Sequence, residues 1–208
     1  MRGRKLVVVR HGQTGHNAAG LWQGQLDVEL SALGVEQAAA AAPYLAALQP
    51  ARIVSSDLAR AARTADAIAE VAGVPATRDP RFREIHVGEW QGKSGDDVRA
   101  EYPAEAEKML TGEDFRRGIS GESVADVAAR ALAGAEALLD TLSDGEVAII
   151  VSHGVAARAL AAALCDLGQH QAWQVLGGLG NCHWAILGET ARGGWRIEGW
   201  NLRAPDAR

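Results

Sequence analysis

Two histidines in the sequence stand in the same local setting, between a short β-branched run and a glycine. His11 follows Arg10 and precedes Gly12, and His153 lies in a similar Ser-His-Gly sequence at residues 152–154. An imidazole can attack phosphorus, and a guanidinium provides planar, charged donors that match the nonbridging oxygens of a phosphate. These residues predict phosphoryl transfer with His11 as the nucleophile, in preference to two histidines of purely structural role.

Two further side chains are expected near the same phosphate. Asn17 offers an amide shortly after His11, and Arg60 lies in the first turn of a predicted helix that follows a strand. Such helices start at the carboxyl edge of the sheet, where open α/β sheets bind ligands. Arg60 is therefore expected to reach the phosphate, whereas Arg63 in the same helix is predicted to be solvated.

A phosphatase also needs a proton donor for the leaving alkoxide and a base for the water that follows. One carboxyl group can serve both steps in turn. The aromatic, glycine-punctuated segment from Arg83 to Gly92 contains two candidates, Glu84 and Glu89. Spacing alone does not choose between them.

These residues lie at the ends of strands in a pattern that alternates strand and helix, which predicts an α/β fold. The predicted elements are, in order, a strand at Lys5–Val9, a helix from Ser31 to about Leu48, a strand at Ile53–Ser56, helices from Leu58 to Ala72 and from about Gly121 to Leu142, a strand at Val147–Val151, a helix from Val155 to Leu164, and an edge hairpin of His183–Leu187 and Trp195–Trp200. We expect one domain over residues 1–208. The irregular pattern between Glu84 and Gly121 is interpreted as a segment, residues 86–120, that covers the substrate.

Bulk properties exclude several classes of function. The net charge is -5 with a pI near 5.7, and no basic cluster of the kind that binds nucleic acid or anionic lipid is present. The apolar runs are too short to span a bilayer, and the first residues lead into a strand rather than a signal-peptide core, so we expect a cytoplasmic protein. The two cysteines predict reduced thiols. We expect no metal and no cofactor, because His11 and His16 lack metal-motif spacing and a metal would compete with the arginines for the same role.

Four segments, in order along nearly the whole chain, resemble the histidine phosphatase superfamily. They are R-H-G at residues 10–12, S-x-L-x-R-A-x-x-T-A at 56–65, E-x-x-x-G-x-W-x-G at 84–92 and S-H-G at 152–154. The resemblance implies a phosphoglycerate mutase-like, three-layer α/β/α sandwich with a mostly parallel central sheet. It also implies a tele-phosphohistidine on His11, Glu84 as the proton donor and acceptor, and a phosphate pocket formed by Arg10, Asn17, Arg60 and His153.

Further stretches resemble one phosphatase group within that family, including residues 21–27, 53–58, 121–123, 177–178 and 180–181. This closer resemblance implies that Gln23 approaches the phosphate, that the substrate is a small phosphorylated acid, and that the chain forms a homodimer. Residues 93–120 match poorly, although this is where the organic half of a substrate should be recognised. The adjacent Arg116 and Arg117 are candidate anchors for a second anion.

Other functions stay open at this point. A phosphoglycerate mutase shares the fold and the phosphohistidine but returns the phosphoryl group to the substrate; Ile85 stands where mutases carry a polar residue, which favours hydrolysis. A broad-specificity phosphatase and a protein phosphatase of the same superfamily are further alternatives. A non-catalytic phosphate-binding protein would need neither His11 nor Glu84.

Overall fold

Residues 3–205 are described by a computed structural model in which six strands form one sheet. The strands are β1 (Lys5–Arg10), β2 (Arg52–Ser55), β3 (Ala76–Arg78), β4 (Val147–Ser152), β5 (Trp184–Glu189) and β6 (Trp195–Leu202). Their order across the sheet is β3-β2-β4-β1-β5-β6. The first four strands pair in parallel, and β5 and β6 add an antiparallel hairpin at one edge.

Eight α-helices occur within residues 3–205. They are α1 (Gly15–Ala18), α2 (Ala32–Ala46), α3 (Ala59–Ala72), α4 (Gly95–Glu101), α5 (Pro103–Thr111), α6 (Val124–Leu139), α7 (Gly154–Leu164) and α8 (Gln169–Val175). Several begin at side-chain caps; Ser31 accepts from Gly34 N, and Ser123 forms a capping box with Asp126. In this part of the chain, no helix combines the length and hydrophobicity needed to cross a membrane.

The alternation of side chains along β1 explains the layers. Leu6 and Val8 face α6 and α7 in one buried cluster, whereas Val7 and Val9 face α2 and α3 in another. Side chains of a strand point alternately to its two faces, so a run that is apolar throughout must be covered on both sides. The predicted three-layer α/β/α sandwich with an edge hairpin is thereby confirmed.

The segment between Glu84 and Gly121, whose pattern was irregular, contains two helices that the sequence analysis did not predict. α4 starts with a capping box of Ser94 and Asp97, and α5 starts with Pro103 at its first position. Both are too short to establish a helical periodicity, which explains the omission. The short elements α1, β3 and α8 escaped prediction for the same reason, and α6 is shorter at both ends than predicted.

An aromatic cluster packs the segment between Glu84 and Gly121 against the rest of the fold. The Trp90 side chain is fully buried, and its ring lies 5.4 Å from that of Trp22, 6.2 Å from that of Tyr102 and 6.0 Å from that of Phe115. The same cluster includes Val127 of α6 and residues of α7. Residues 86–120 therefore pack against the helices beside the carboxyl ends of β1 and β4.

Candidate active site

The two histidines meet because the strands that precede them are paired neighbours. Arg10, the last residue of β1, pairs with Ser152, the last residue of β4, and His11 N donates to Ser152 O at 3.0 Å. The rings of His11 and His153 lie 5.0 Å apart, centroid to centroid. The carboxyl ends of two parallel strands thus place both imidazoles at one edge of the sheet.

The tautomer of His11 is determined by its own backbone. The Nδ1 atom lies 2.6 Å from the carbonyl oxygen of Gly12, so Nδ1 carries the proton and donates it. Nε2 then keeps its lone pair. Burial, together with the nearby charges of Arg60 and Arg10, lowers the pKa of His11 well below its usual value. The arrangement provides a neutral imidazole whose Nε2 can act as a nucleophile.

Arg60 links both imidazoles to a neighbouring loop. Its Nε lies 3.2 Å from His11 Nε2 and 3.3 Å from His153 Nδ1, and its two Nη atoms donate to Leu26 O and Gly24 O at 2.7 and 2.8 Å. Each Nη atom carries two hydrogens, so each keeps one N–H for an anion. The side chain is 1% exposed, whereas Arg63 is exposed, as predicted.

The second histidine is held as a donor. Because His153 Nδ1 accepts from Arg60, the proton of the neutral ring belongs on Nε2. Burial and the charge of Arg60 lower the pKa of His153 well below its usual value. Its Nε2 is buried and has no hydrogen-bond partner among residues 3–205. A buried donor without a partner is costly, and an anion oxygen would satisfy it.

Two amides are oriented by hydrogen bonds to their oxygens. Asn17 Oδ1 accepts from Thr14 N at 3.1 Å and from Asn181 Nδ2 at 3.2 Å, and Gln23 Oε1 accepts from Thr14 Oγ1 at 2.9 Å. With the oxygens occupied, the amino groups of Asn17 and Gln23 remain as donors. Arg10 adds a further donor: its Nη1 donates to Leu179 O at 2.6 Å, and its buried Nε has no partner in the described chain.

Glu84 is fixed by the start of α7. Its Oε1 accepts from Ile85 N at 2.9 Å and Ala156 N at 3.1 Å, and its Oε2 accepts from Val155 N at 3.2 Å. Glu89, the other candidate, is exposed and accepts from Ser120 N at 3.2 Å. The geometry thus separates two carboxylates that the spacing left equivalent.

Most of the predicted site residues line one cavity that is partly open to solvent. Its walls include the predicted residues Arg10, His11, Asn17, Gln23, Arg60 and Glu84, together with Gly20, Leu21, Trp22, Gly24, Ile85, Val87 and Val155. His153 does not line this cavity; it is fully buried against Arg60. The cavity combines guanidinium and amide donors, one neutral nucleophile and one carboxyl group, which is the set that phosphoryl transfer requires.

Several supporting residues were missed by the sequence analysis. Asn181 donates to His11 O at 3.0 Å as well as to Asn17. Arg130 of α6 donates to Glu84 O at 2.9 Å and pairs with Glu122 at 2.8 Å. Asn181 and Glu122 lay within the stretches that carried the family resemblance, which was the only signal for them. Arg130 had no signal in the sequence beyond that of an ordinary helical arginine.

Comparisons with known proteins agree with this geometry. A family model described as the histidine phosphatase superfamily, branch 1, matches residues 6–203. The glucosyl-3-phosphoglycerate phosphatase of Mycolicibacterium vanbaalenii is 43% identical over an alignment covering 98% of this chain and 97% of that protein. A probable phosphoglycerate mutase of Yersinia pestis is 32% identical over an alignment covering 96% of this chain and 91% of that protein.

A solved structure is also similar throughout. The mycobacterial glucosyl-3-phosphoglycerate phosphatase in complex with VO3 superposes with a TM-score of 0.88 at 40% identity, covering 97% of this chain and 100% of the other. The prediction of a phosphatase of this family, made from four short segments, is therefore confirmed. The chain belongs to the histidine phosphatase superfamily, branch 1.

Proposed function

We propose that this chain hydrolyses a phosphate monoester through a phosphohistidine on His11, and that its substrate is glucosyl-3-phosphoglycerate. The observation that carries the chemistry is the bond between His11 Nδ1 and Gly12 O, which leaves Nε2 unprotonated beside Arg60. The substrate is supported by the names of the relatives at 43% and 41% identity, both glucosyl-3-phosphoglycerate phosphatases.

In the first half-reaction, His11 Nε2 attacks phosphorus in line with the ester oxygen. The N–P bond forms as the P–O bond to the organic group breaks, and Glu84 gives its proton to the departing oxygen. The N–H donors of Arg10 and Arg60 and the amino groups of Asn17 and Gln23, which line the cavity, hold the nonbridging oxygens. His153 is buried against Arg60, and its unpartnered Nε2–H is proposed to complete the phosphate site when the anion is seated. The Nε2 attack makes the intermediate a tele-phosphohistidine.

In the second half-reaction, water takes the place of the organic product. The Glu84 carboxylate removes a proton from the water as its oxygen attacks phosphorus. The N–P bond breaks, inorganic phosphate leaves, and His11 returns to the neutral tautomer. Glu84 ends with the proton that it lost in the first step.

Trapping the intermediate tests the nucleophile. Substrate carrying labelled phosphorus, quenched in alkali because phosphohistidine is labile in acid, should leave the label on His11. His11→Asn should abolish labelling and reduce turnover at least a thousandfold, on the order of the loss seen when a catalytic nucleophile is removed. His16→Asn is the matched control, since His16 lies close in sequence but does not line the cavity. Turnover that persists without label on His11 would refute the mechanism.

A phosphoglycerate mutase is the second candidate, and the 32% identical relative from Yersinia pestis favours it. The phosphoryl group on His11 would then pass to a hydroxyl of the glycerate instead of to water, with cleavage of the N–P bond. Phosphorus NMR of a reaction with 3-phosphoglycerate separates the two, because a mutase forms 2-phosphoglycerate and a phosphatase forms inorganic phosphate. We expect inorganic phosphate.

Three further properties belong to the proposal. The resemblance supports a homodimer, which sedimentation would distinguish from a monomer of 21.9 kDa. The free cysteines Cys165 and Cys182 support a location in the reducing cytoplasm.

Residues 86–120 are proposed to cover the organic half of the substrate. This is supported by Met109, Gly112 and Arg117, which line a second cavity beside the first.

A further inference from the structure

The second cavity adjoins the phosphate cavity directly. The two share Trp22, Ile85 and Val155 as lining residues. The second is partly open to solvent and is bounded by residues 109–117, by α7 and by α8. A phosphate ester seated on His11 would therefore extend its organic part into this space.

Two arginines line this second cavity without an ion-pair partner. The guanidinium of Arg158, on α7, forms no ion pair or hydrogen bond with residues 3–205, although the charge of Glu84 attracts it through space. Among the same residues the guanidinium of Arg117 donates only to Phe115 O, at 2.8 Å, and its carbon lies 4.0 Å from the centre of the Phe115 ring. Both are half-buried. Half-buried guanidinium groups that face a cavity and form no ion pair are suited to bind an anion.

The acidic residues at the same cavity are engaged elsewhere. Glu113 pairs with Lys108 at 3.5 Å. Asp114 attracts Arg117 through space, but its oxygens accept from Val124 N at 2.7 Å and from the next backbone N–H at 2.9 Å, at the start of α6. The positive charge of the arginines is therefore only partly offset.

Arg116, which the sequence analysis paired with Arg117 as an anchor, is not part of this cavity. It is exposed, pairs with Asp126 at 3.3 Å and donates to Gly121 O at 3.2 Å. Adjacent residues in an extended or turning backbone point their side chains in different directions. The cation that accompanies Arg117 comes instead from α7, one helical turn beyond Val155.

We propose that Arg117 and Arg158 form a second anion subsite that binds the carboxylate of the substrate, while Trp22, Met109 and Trp173 pack against its remaining carbons. This inference rests on the proposed function, because it assumes that the phosphate lies at His11. It assigns specificity for acidic esters to Arg158. This residue lies on α7, the helix whose first-turn N–H groups donate to the Glu84 carboxylate. A neutral sugar phosphate or an aryl phosphate would leave both guanidinium groups without a partner.

Binding of a matched pair of ligands tests the subsite without turnover. Calorimetry on the His11→Asn protein would compare 3-phosphoglycerate with glycerol 3-phosphate, which has a hydroxymethyl group in place of the carboxylate. We expect 3-phosphoglycerate to bind about tenfold more tightly or better, which is the scale of a hydrogen bond between charged groups. Arg158→Met and Arg117→Met, each added separately, should remove most of that preference, and Arg158→Lys should restore part of it.

Arg116→Met provides the control, since it removes the same charge from the adjacent, exposed position and should leave the preference intact. An equal affinity for the two ligands in the parent protein, or an equal loss of preference in Arg116→Met, would overturn the subsite. The proposed function fails separately, if the wild-type protein releases no phosphate from any ester while the binding preference persists. Thermal unfolding of each variant would establish that it is folded.

Discussion

Arg60 has one N–H on Nε, and that hydrogen lies between nitrogens of both catalytic-site imidazoles. In the proposed phosphohistidine, Nε2 of His11 would no longer accept, and the hydrogen would be left to His153 alone. The two Nη atoms meanwhile hold the loop at Gly24 and Leu26. A lysine has no planar fork and could not replace these contacts together.

The leaving-group dependence of turnover tests Glu84. Glu84→Gln should reduce turnover of an alkyl phosphate by roughly a hundredfold or more, because the alkoxide then departs without a proton. An activated aryl phosphate needs little protonation and should be hydrolysed almost as before in the first step. Glu89→Gln is the control, since that carboxylate is exposed and outside the cavity. Initial burst rates on the two esters provide the measurement, and equal losses on both would contradict the assignment.

The buried histidines predict a dependence of stability on pH. The pKa values of His11 and His153 are lowered in the folded chain from a reference of 6.5. Below that pH the unfolded chain binds protons that the folded chain excludes, so the free energy of unfolding falls as pH falls. Each histidine contributes a slope of up to about 1.4 kcal/mol per pH unit.

Urea unfolding between about pH 5 and pH 7.5 would measure this slope, in a range above the titration of ordinary carboxylates. His11→Asn and His153→Asn should each flatten it. An unchanged slope in both variants would show that these imidazoles are protonated in the folded state.

At the residue scale, the sequence predicts which residues form the site better than it predicts how their side chains are oriented. His11, Arg10 and Arg60 are evident because strand ends and helix starts converge at one edge of the sheet. The donor face of Asn17 is not evident, because it depends on Asn181, which arrives from the far end of the chain. Arg158 has no signature in the sequence for the same reason: its surroundings come from α5 and α8.

At the scale of elements, the loop after β1 and the first turn of α2 approach so closely that only glycines fit at the contact. A Cβ on Gly12 would lie 2.4 Å from Gly34 O, and a Cβ on Gly34 would lie 2.0 Å from Gln13 O. The loop that carries His11 is thus positioned by backbone contact with the first turn of α2. The Ser31 cap fixes where that turn begins.

Gly34→Ala should therefore destabilise the fold by roughly 1–3 kcal/mol, because the added methyl group must displace backbone. It should also reduce turnover, since the displaced loop is the one that orients His11. Gly15→Ala, at the first residue of α1 just after this loop, has no atom within 4 Å of the new Cβ and should leave stability unchanged within about 0.5 kcal/mol. Chemical denaturation and steady-state kinetics of the two variants would check this, and similar stabilities for both would contradict it.

The elements themselves were predictable where their periodicity is long. β1, β4, α3 and α7 follow apolar patterns of normal length, and their predicted boundaries are close to those observed. α4 begins with a capping box, and the segment that contains α4 and α5 is held by the packing of Trp90 against Trp22, Tyr102 and Phe115. Those contacts are tertiary, so a local pattern does not report them.

At the scale of the whole molecule, the site obtains its positive charge from arginines although the chain as a whole carries a charge of -5. Every role that a metal plays in phosphoryl transfer is proposed here for Arg, His or Glu side chains. We expect turnover to survive an excess of EDTA with kcat changed by less than about twofold. A loss of turnover that a divalent ion restores would refute this expectation.

The position of β1 in the sheet has a consequence for synthesis. β1 precedes the other five strands along the chain, yet its two neighbours, β4 and β5, begin only at residues 147 and 184. Until then Leu6–Val9 have no partner, and the nascent chain must keep this run from aggregating, a task suited to a chaperone. A chain truncated before residue 152 would therefore contain His11, Arg60 and Glu84 but would lack a complete β4 and the proposed phosphate pocket.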